Sequence, residues 1–266
     1  MSINPIFLHV WGPLSIHAYG VFIALGACIA FTLVLRDQML KKIISTDDLA
    51  TSSQLIVLSG YFGGRICCML SQREPIDDYL FLIKFWEPGY SILGSIIGIT
   101  ATLVCYLHLK KIPILQFADR ISLYAPLVQS FGRIGCFFAG CCYGKALIAW
   151  WSVTYTDPYH MAPLHQSLHP SQLYSSAMLF MIFIYLFFVA QKKFKKQGMI
   201  FCTYLLCASA ERFTIDFIRS DRSFIINDGI FSYLSTHQWI ALFVGLCATI
   251  CMICITKWTK KTDGSI

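Results

Sequence analysis

Seven long apolar runs divide the chain, each close to the ~20 residues that a helix needs to cross a bilayer. They cover roughly Ile16–Leu35, Leu49–Leu70, Tyr90–Leu107, Ala118–Cys136, Leu173–Ala190, Met199–Ile218 and Gln238–Ile255. The first, third, fifth and seventh are nearly free of charge, whereas the second, fourth and sixth carry ionisable residues. Polar segments separate the runs, and two of these are sizeable. Gln72–Pro88 includes Tyr79–Trp86, which reads as a short interfacial helix. Residues 137–169 hold Trp150, Trp151, Tyr155 and Tyr159, with Pro158 and Pro163 as breakers. Alternation over Trp151–Tyr155 predicts a short strand there. No low-complexity tract or internal repeat is visible. The pattern therefore predicts an all-α integral membrane protein: a single membrane domain over residues 1–266, with a small extracytoplasmic cap, 137–169, inserted between helices four and five.

Composition agrees with this class. Of 266 residues, 56% are hydrophobic and only 13% charged, against about 25% charged in soluble domains. Mean hydropathy is +0.62. Basic residues orient the spans, since Lys and Arg collect on the cytoplasmic side. With the N-terminus outside, the cytoplasmic connections hold 12 of them, among them Arg36, Lys110, Lys192, Lys196 and Lys261, against 5 outside. The expected orientation is N-out and C-in. The net charge of +7 is mostly this topology signal, and no basic–aromatic stretch points to nucleic acid. Met1–Trp11 is short and lacks a basic start, so no cleavable signal peptide is expected.

Ionisable residues at the ends of apolar runs carry the candidate chemistry. Arg133 lies in Phe131-Gly132-Arg133-Ile134-Gly135-Cys136. An arginine within a membrane helix costs roughly 2.5–3.5 kcal/mol on insertion scales, so it faces protein, water or a headgroup. The small residues beside it allow close approach, and a fixed guanidinium suits a phosphate or carboxylate. Arg212, Asp216 and Arg219 recur at i, i+4 and i+7 and share one helix face. That face is either an ion-pair stripe that packs helices or a polar wall lining a cavity, and charge this dense favours the wall. His169-Pro170-Ser171-Gln172-Leu173-Tyr174 starts the fifth helix with Pro170 in its first turn. This segment either caps the helix or turns polar groups toward an anion. His17-Ala18-Tyr19-Gly20 opens the first helix. Gly63-Gly64-Arg65 repeats the pairing of small residues with arginine, and Gly89, Gly94 and Gly98 suit close helix packing. Most of the twelve cysteines lie inside predicted helices and read as small packing residues. Cys247, Cys251 and Cys254 share a face but have no His or carboxylate partner, and no metal site is predicted. Cys136, Cys141 and Cys142 lie at the outer surface, where a disulfide, simple packing and a reactive thiol are all open readings.

Taken in order, these pieces resemble the prolipoprotein diacylglyceryl transferase family, from His17-Ala18-Tyr19-Gly20 to Leu234-Ser235-Thr236-His237-Gln238. The most specific matches are Gly132-Arg133-Ile134-Gly135, His169-Pro170-Ser171-Gln172-Leu173-Tyr174 and Arg212 through Arg219. The resemblance implies transfer of diacylglycerol from phosphatidylglycerol to the cysteine thiol of a lipobox-containing prolipoprotein. It also implies a multi-pass protein of the bacterial inner membrane, without cofactor. It places Arg133 and Arg212 on the phosphate; for the base, His169, a phosphate oxygen of the substrate and His17 are open candidates. Tyr19, Gln172 and Tyr174 fall at the headgroup site, with Arg219 and Asp216 in support of Arg212. The chain departs from the family at several polar positions. Cys136, Ala139 and Cys141 stand where the family usually has Asn, Asn and Glu. Leu93 replaces a histidine proposed as base, and Ser175 replaces an acidic residue. A paralogue of altered or lost activity, binding lipid or peptide on the same scaffold, is the alternative reading.

Overall fold

Helix dominates the computed structural model of the chain, which describes residues 5–11, 14–71, 79–84, 89–224 and 233–263. The order is β1 (Ile6–Trp11), β2 (Leu14–His17), α1 (Ala18–Arg36), α2 (Thr46–Ser71), α3 (Ile92–Leu109), α4 (Ile114–Ser122), α5 (Ala125–Ala139), β3 (Val153–Thr154), β4 (Ser167–Leu168), α6 (Ser171–Tyr185), α7 (Gln191–Lys193), α8 (Met199–Asp216) and α9 (Thr236–Asp263). A π-helical stretch, Leu186–Ala190, joins α6 to α7, so one continuous helix covers Ser171–Lys193. Among the described residues, five helices are long and apolar enough to cross a membrane: α1, α2, α3, Ser171–Lys193 and Thr236–Lys257.

The remaining two predicted spans take a different form. The run Ala118–Cys136 is two helices, α4 and α5, interrupted at Leu123-Tyr124. Pro126 is the reason. It has no N–H to give a preceding turn, and it sits instead in the first turn of α5, where none is needed. The sixth run ends as α8 at Asp216, two residues early, with Glu211, Arg212 and Asp216 in its last turns. Pro170 stands just ahead of α6 rather than inside its first turn. The expected strand over Trp151–Tyr155 is present as β3, paired antiparallel with β4. Of the expected Tyr79–Trp86 helix, Tyr79–Leu82 is a 3-10 turn; residues 85–88, Trp86 among them, lie outside the described residues. The β1–β2 hairpin ahead of α1 was not expected.

The chain forms two compact units: Met1–Arg36 with Ala118–Ile266, and Asp37–Phe117. In the second unit α2 packs on α3 through glycines. A Cβ on Gly94 would lie 2.3 Å from the Gly63 carbonyl oxygen, and one on Gly98 would lie 2.6 Å from that of Ser59. The absence of side chains there is what allows van der Waals contact between backbones, the main attraction available to helices in lipid. Arg65 is fully buried in this unit and donates to the carbonyls of Gly89 and Lys84, with the Phe81 ring 4.2 Å from its guanidinium carbon. Its role is therefore to hold the chain after α2. Leu93 belongs to the same unit and is exposed.

In the first unit α1 packs on α5, α5 on α6, α6 on α8, and α8 on α9. Asp119 of α4 accepts the backbone N–H of Gly198 at 2.6 Å and of Phe201 at 2.8 Å. A carboxylate placed there satisfies orphan amides at the start of α8 and complements its dipole. The cap, between α5 and α6, has a small core of Tyr155, Ala162 and Leu168. It is stitched to the end of α8 by the Gly144–Arg219 bridge and by Lys145 N–H to Ile218 O at 2.9 Å.

Candidate active site

Three arginines from two helices and one turn meet beside the cap. Arg133 projects from α5, Arg212 from the last turns of α8, and Arg219 from the turn that follows. Arg212 lies within electrostatic reach of both Arg133 and Arg219. The charges that hold this cluster come from nearby carboxylates. Asp216, fully buried, meets Arg212 Nη2 at 3.4 Å and Arg222 Nε at 3.5 Å and accepts the Ser235 hydroxyl. Arg219 pairs with Asp221 through two parallel bonds, 2.8 Å from Nε and 2.7 Å from Nη2. The expected stripe Arg212–Asp216–Arg219 is thus divided: α8 ends at Asp216, and beyond it the chain turns, giving Arg219 its own carboxylate. Gln238 of α9 accepts from Arg222 Nη2 at 2.7 Å and donates to the Phe213 carbonyl at 3.2 Å.

One guanidinium nitrogen in this cluster stands out. Arg212 Nη1 is buried and has no hydrogen-bond partner among the described residues. A buried donor of a charged group left unpaired costs more than a neutral one. An anion placed against Nη1 would remove that penalty. Nearby, His237 Nδ1 is also buried without a described partner, and its ring feels the charges of Arg212, Asp216 and Arg219.

The wall opposite is built from α5, its terminal turn and the start of α6. Gly135 lets α1 come close: a Cβ there would lie 3.0 Å from the Tyr19 carbonyl oxygen. Tyr19 is partly exposed and lies within reach of Arg133 and of Cys136, Cys141 and Cys142. Gly140 ends α5 at φ +69°, a left-handed conformation that a Cβ disfavours. The chain then doubles back, and the Cys136, Cys141 and Cys142 sulfurs come within 4.8 Å of one another. Two α6 side chains fasten this turn. Gln172 Nε2 donates to the Cys141 carbonyl and Ser171 Oγ to that of Cys142, each at 2.8 Å. The Cys141 thiol donates to the Cys136 carbonyl at 3.8 Å, and the Cys142 sulfur lies within reach of the charges of Arg219 and Arg133. Burial pushes the Tyr155 phenol up, so it keeps the proton that it donates to the Phe137 carbonyl at 2.9 Å.

The sequence-predicted residues are therefore partly gathered. Arg133, Arg212, Arg219, Asp216 and Tyr19 belong to one neighbourhood. Gln172 is buried, with its amide nitrogen committed to the turn and its Oε1 without a described partner. His169 and Tyr174 form a pair of their own, Tyr174 Oη 3.5 Å from His169 Nδ1. Ser175, in place of the usual acidic residue, donates to the buried Glu211 of α8. An acid is thus present at that spot, supplied by another helix. Sequence reasoning missed Asp221, Arg222 and His237. The run Arg219-Ser220-Asp221-Arg222 held the signal, because alternating charge at the end of an apolar helix calls for internal pairing.

The family model described as prolipoprotein diacylglyceryl transferase matches residues 5–254. The phosphatidylglycerol–prolipoprotein diacylglyceryl transferase of Clostridium tetani is 32% identical over 241 residues, spanning 90% of this chain and 93% of the relative. An enzyme of that name from Clostridium perfringens is 30% identical over 87% of this chain and 88% of its own. One from Idiomarina loihiensis is 27% identical over 95% and 93%.

Proposed function

The chain belongs to the prolipoprotein diacylglyceryl transferase family, and from that membership we propose how its residues divide the work. The protein transfers diacylglycerol from phosphatidylglycerol to the cysteine thiol of a prolipoprotein. A sulfur–carbon bond forms at the glycerol carbon as the carbon–oxygen bond to phosphate breaks, and glycerol phosphate leaves. The thiol must first lose its proton, since the thiolate is the nucleophile, and the departing phosphate must be stabilised.

Arg212 and Arg133 carry that second task. The observation behind this is Arg212 Nη1, a buried cationic donor without a described protein partner. Preorganised donors aimed at developing charge act strongly in a water-poor site. Asp216 fixes the Arg212 fork by taking Nη2, leaving Nη1 for the phosphate. Arg219, anchored by Asp221, adds field and joins the cap to α8. Tyr19 and the Gln172 Oε1 face the headgroup, and Tyr174 orients His169 at the edge of the site. An apolar groove of about 350 Å³ between α8 and α9, lined by residues such as Phe213, Leu206 and Leu246, offers room for an acyl chain. The protein sits in the bacterial inner membrane with seven crossings, N-terminus outside and C-terminus inside; the 137–169 cap meets the prolipoprotein on the outer face.

The test is turnover of phosphatidylglycerol with a lipobox peptide by the full chain in detergent. Arg212→Ala and Arg133→Ala should each lower kcat by roughly 100- to 1,000-fold, the cost of losing one oxyanion donor, while the proteins still elute as folded species. Full turnover in both variants would remove the arginines from the reaction.

A further inference from the structure

Three sulfurs that converge on one point need a physical explanation beyond packing. Cys136 comes from the last turn of α5, and Cys141 and Cys142 from the turn that Gly140 allows. All three sulfurs lie within 4.8 Å of one another and are half-buried. Three thiolates bound to one zinc ion, each about 2.3 Å from it, stand roughly 3.8–4.0 Å apart, which falls inside that limit. The backbone holding them is fixed from a second helix, by Gln172 and Ser171. Cys142 itself takes a left-handed conformation, φ +58°, which is strained for a residue with a Cβ and is found where surrounding structure imposes it. Arg133 and Arg219 stand within electrostatic reach of Cys142. Three thiolates around a divalent cation keep one net negative charge, and these arginines offset it. Among the described residues no histidine or carboxylate joins the three sulfurs, and an all-sulfur set of charged ligands selects a thiophilic ion over magnesium or calcium.

We infer that Cys136, Cys141 and Cys142 form a three-thiolate site for a thiophilic divalent cation such as zinc, with a fourth position open to the acceptor's thiol. The second half rests on the transferase reading above. A thiol entering the fourth position displaces water, and its proton leaves to solvent, because metal coordination deprotonates a thiol outright. The bound thiolate then attacks the glycerol carbon as the phosphate departs toward Arg212 and Arg133. The site would thus supply the deprotonation step in a chain whose Leu93 stands at the position of the family's candidate base.

The experiment loads the full-length, detergent-solubilised protein with Zn²⁺ or Co²⁺, removes free metal, and measures retained metal and thiolate-to-cobalt charge-transfer absorption. About one retained equivalent is expected, with affinity falling at least about tenfold in Cys142→Ser and in Cys136→Ser. Cys247→Ala/Cys251→Ala/Cys254→Ala should keep the metal. No stoichiometric retention, retention unchanged in the serine variants, or a Cys136 disulfide in protein purified without reductant would overturn the site. A lipobox peptide should shift the cobalt band, and its Cys→Ser version should not. A metal that stays while the peptide leaves the band unmoved refutes the acceptor role alone. Transferase turnover that survives complete loss of the metal sinks the same half and leaves the family activity standing. Turnover absent from the metal-loaded wild-type protein would instead count against the transferase reading.

Discussion

Asp216 is the residue on which the arginine cluster depends. It is fully buried, yet it faces Arg212 and Arg222 and accepts from Ser235. Removing one member of a buried ion pair leaves an uncompensated charge and costs about 3–5 kcal/mol. Asp216→Asn keeps the shape and removes the charge. It should lower the thermal unfolding midpoint of the detergent-solubilised protein, and more so than Asp221→Asn, whose side chain is 31% exposed and whose pair is therefore screened. Equal midpoints for the two variants would show that Asp216 is not the anchor. The identity of this residue was legible in sequence from its i+4 spacing to Arg212. Its second partner was not, because Arg222 reaches back only after the chain turns beyond α8, and no helical spacing encodes a turn.

Among the elements, α5 shows most clearly what sequence could and could not disclose. Its small residues next to Arg133 announced close approach, and the structure gives that approach a partner. A Cβ on Gly135 would press on the Tyr19 backbone at 3.0–3.1 Å, while one on Gly132 would find nothing nearer than Ile23 at 3.9 Å. Two glycines three residues apart thus predict opposite outcomes. Gly135→Ala must push α1 away and should cost about 1–3 kcal/mol as overpacking, with loss of turnover as Tyr19 shifts. Gly132→Ala meets ordinary contact and gains helix propensity of up to about 1 kcal/mol. Thermal unfolding of both variants decides it; a Gly132→Ala that destabilises as much as Gly135→Ala would mean that α1 and α5 do not meet in this way. The interruption of the fourth apolar run was also present in the sequence, in Pro126, but a continuous hydrophobic stretch outweighed one proline. Cys136, Cys141 and Cys142 were legible as neighbours at one surface, with a disulfide among the readings, but the meeting of all three free sulfurs was not. It depends on the left-handed Gly140 and on two hydrogen bonds from α6, a helix 30 residues further along.

Across the whole chain, the remaining question is which ends of which helices share a side of the membrane, and the first unit contains the means to argue it. The Gly144–Arg219 bridge places the end of α5, the start of α6 and the end of α8 at one level. Asp119 of α4, the helix that leads into α5, accepts from Gly198 and Phe201 at the start of α8, which places α4 and that start together at a second level. The continuous helix Ser171–Lys193 runs from the first level toward the second and is long enough to cross. α5 and α8 run between the same two levels, although α5 alone is only about 22 Å long at 1.5 Å per residue. Its shortness is made up by α4, and the charged end of α8 lies at the polar surface beneath the cap. Parity then gives one cap side and one opposite side, and the lysines decide their sign. Lys192, Lys193, Lys195 and Lys196 lie between the continuous helix and α8, on the side away from the cap, and basic clusters stay in the cytoplasm. An alkaline phosphatase reporter inserted after Tyr159 should therefore be active, and one inserted after Lys196 inactive. A fluorescent protein that folds only in the cytoplasm should give the reverse pattern at those two sites. Phosphatase activity after Lys196 would invert the topology and move the arginine cluster to the cytoplasmic face, where no prolipoprotein awaiting modification outside the membrane could reach it.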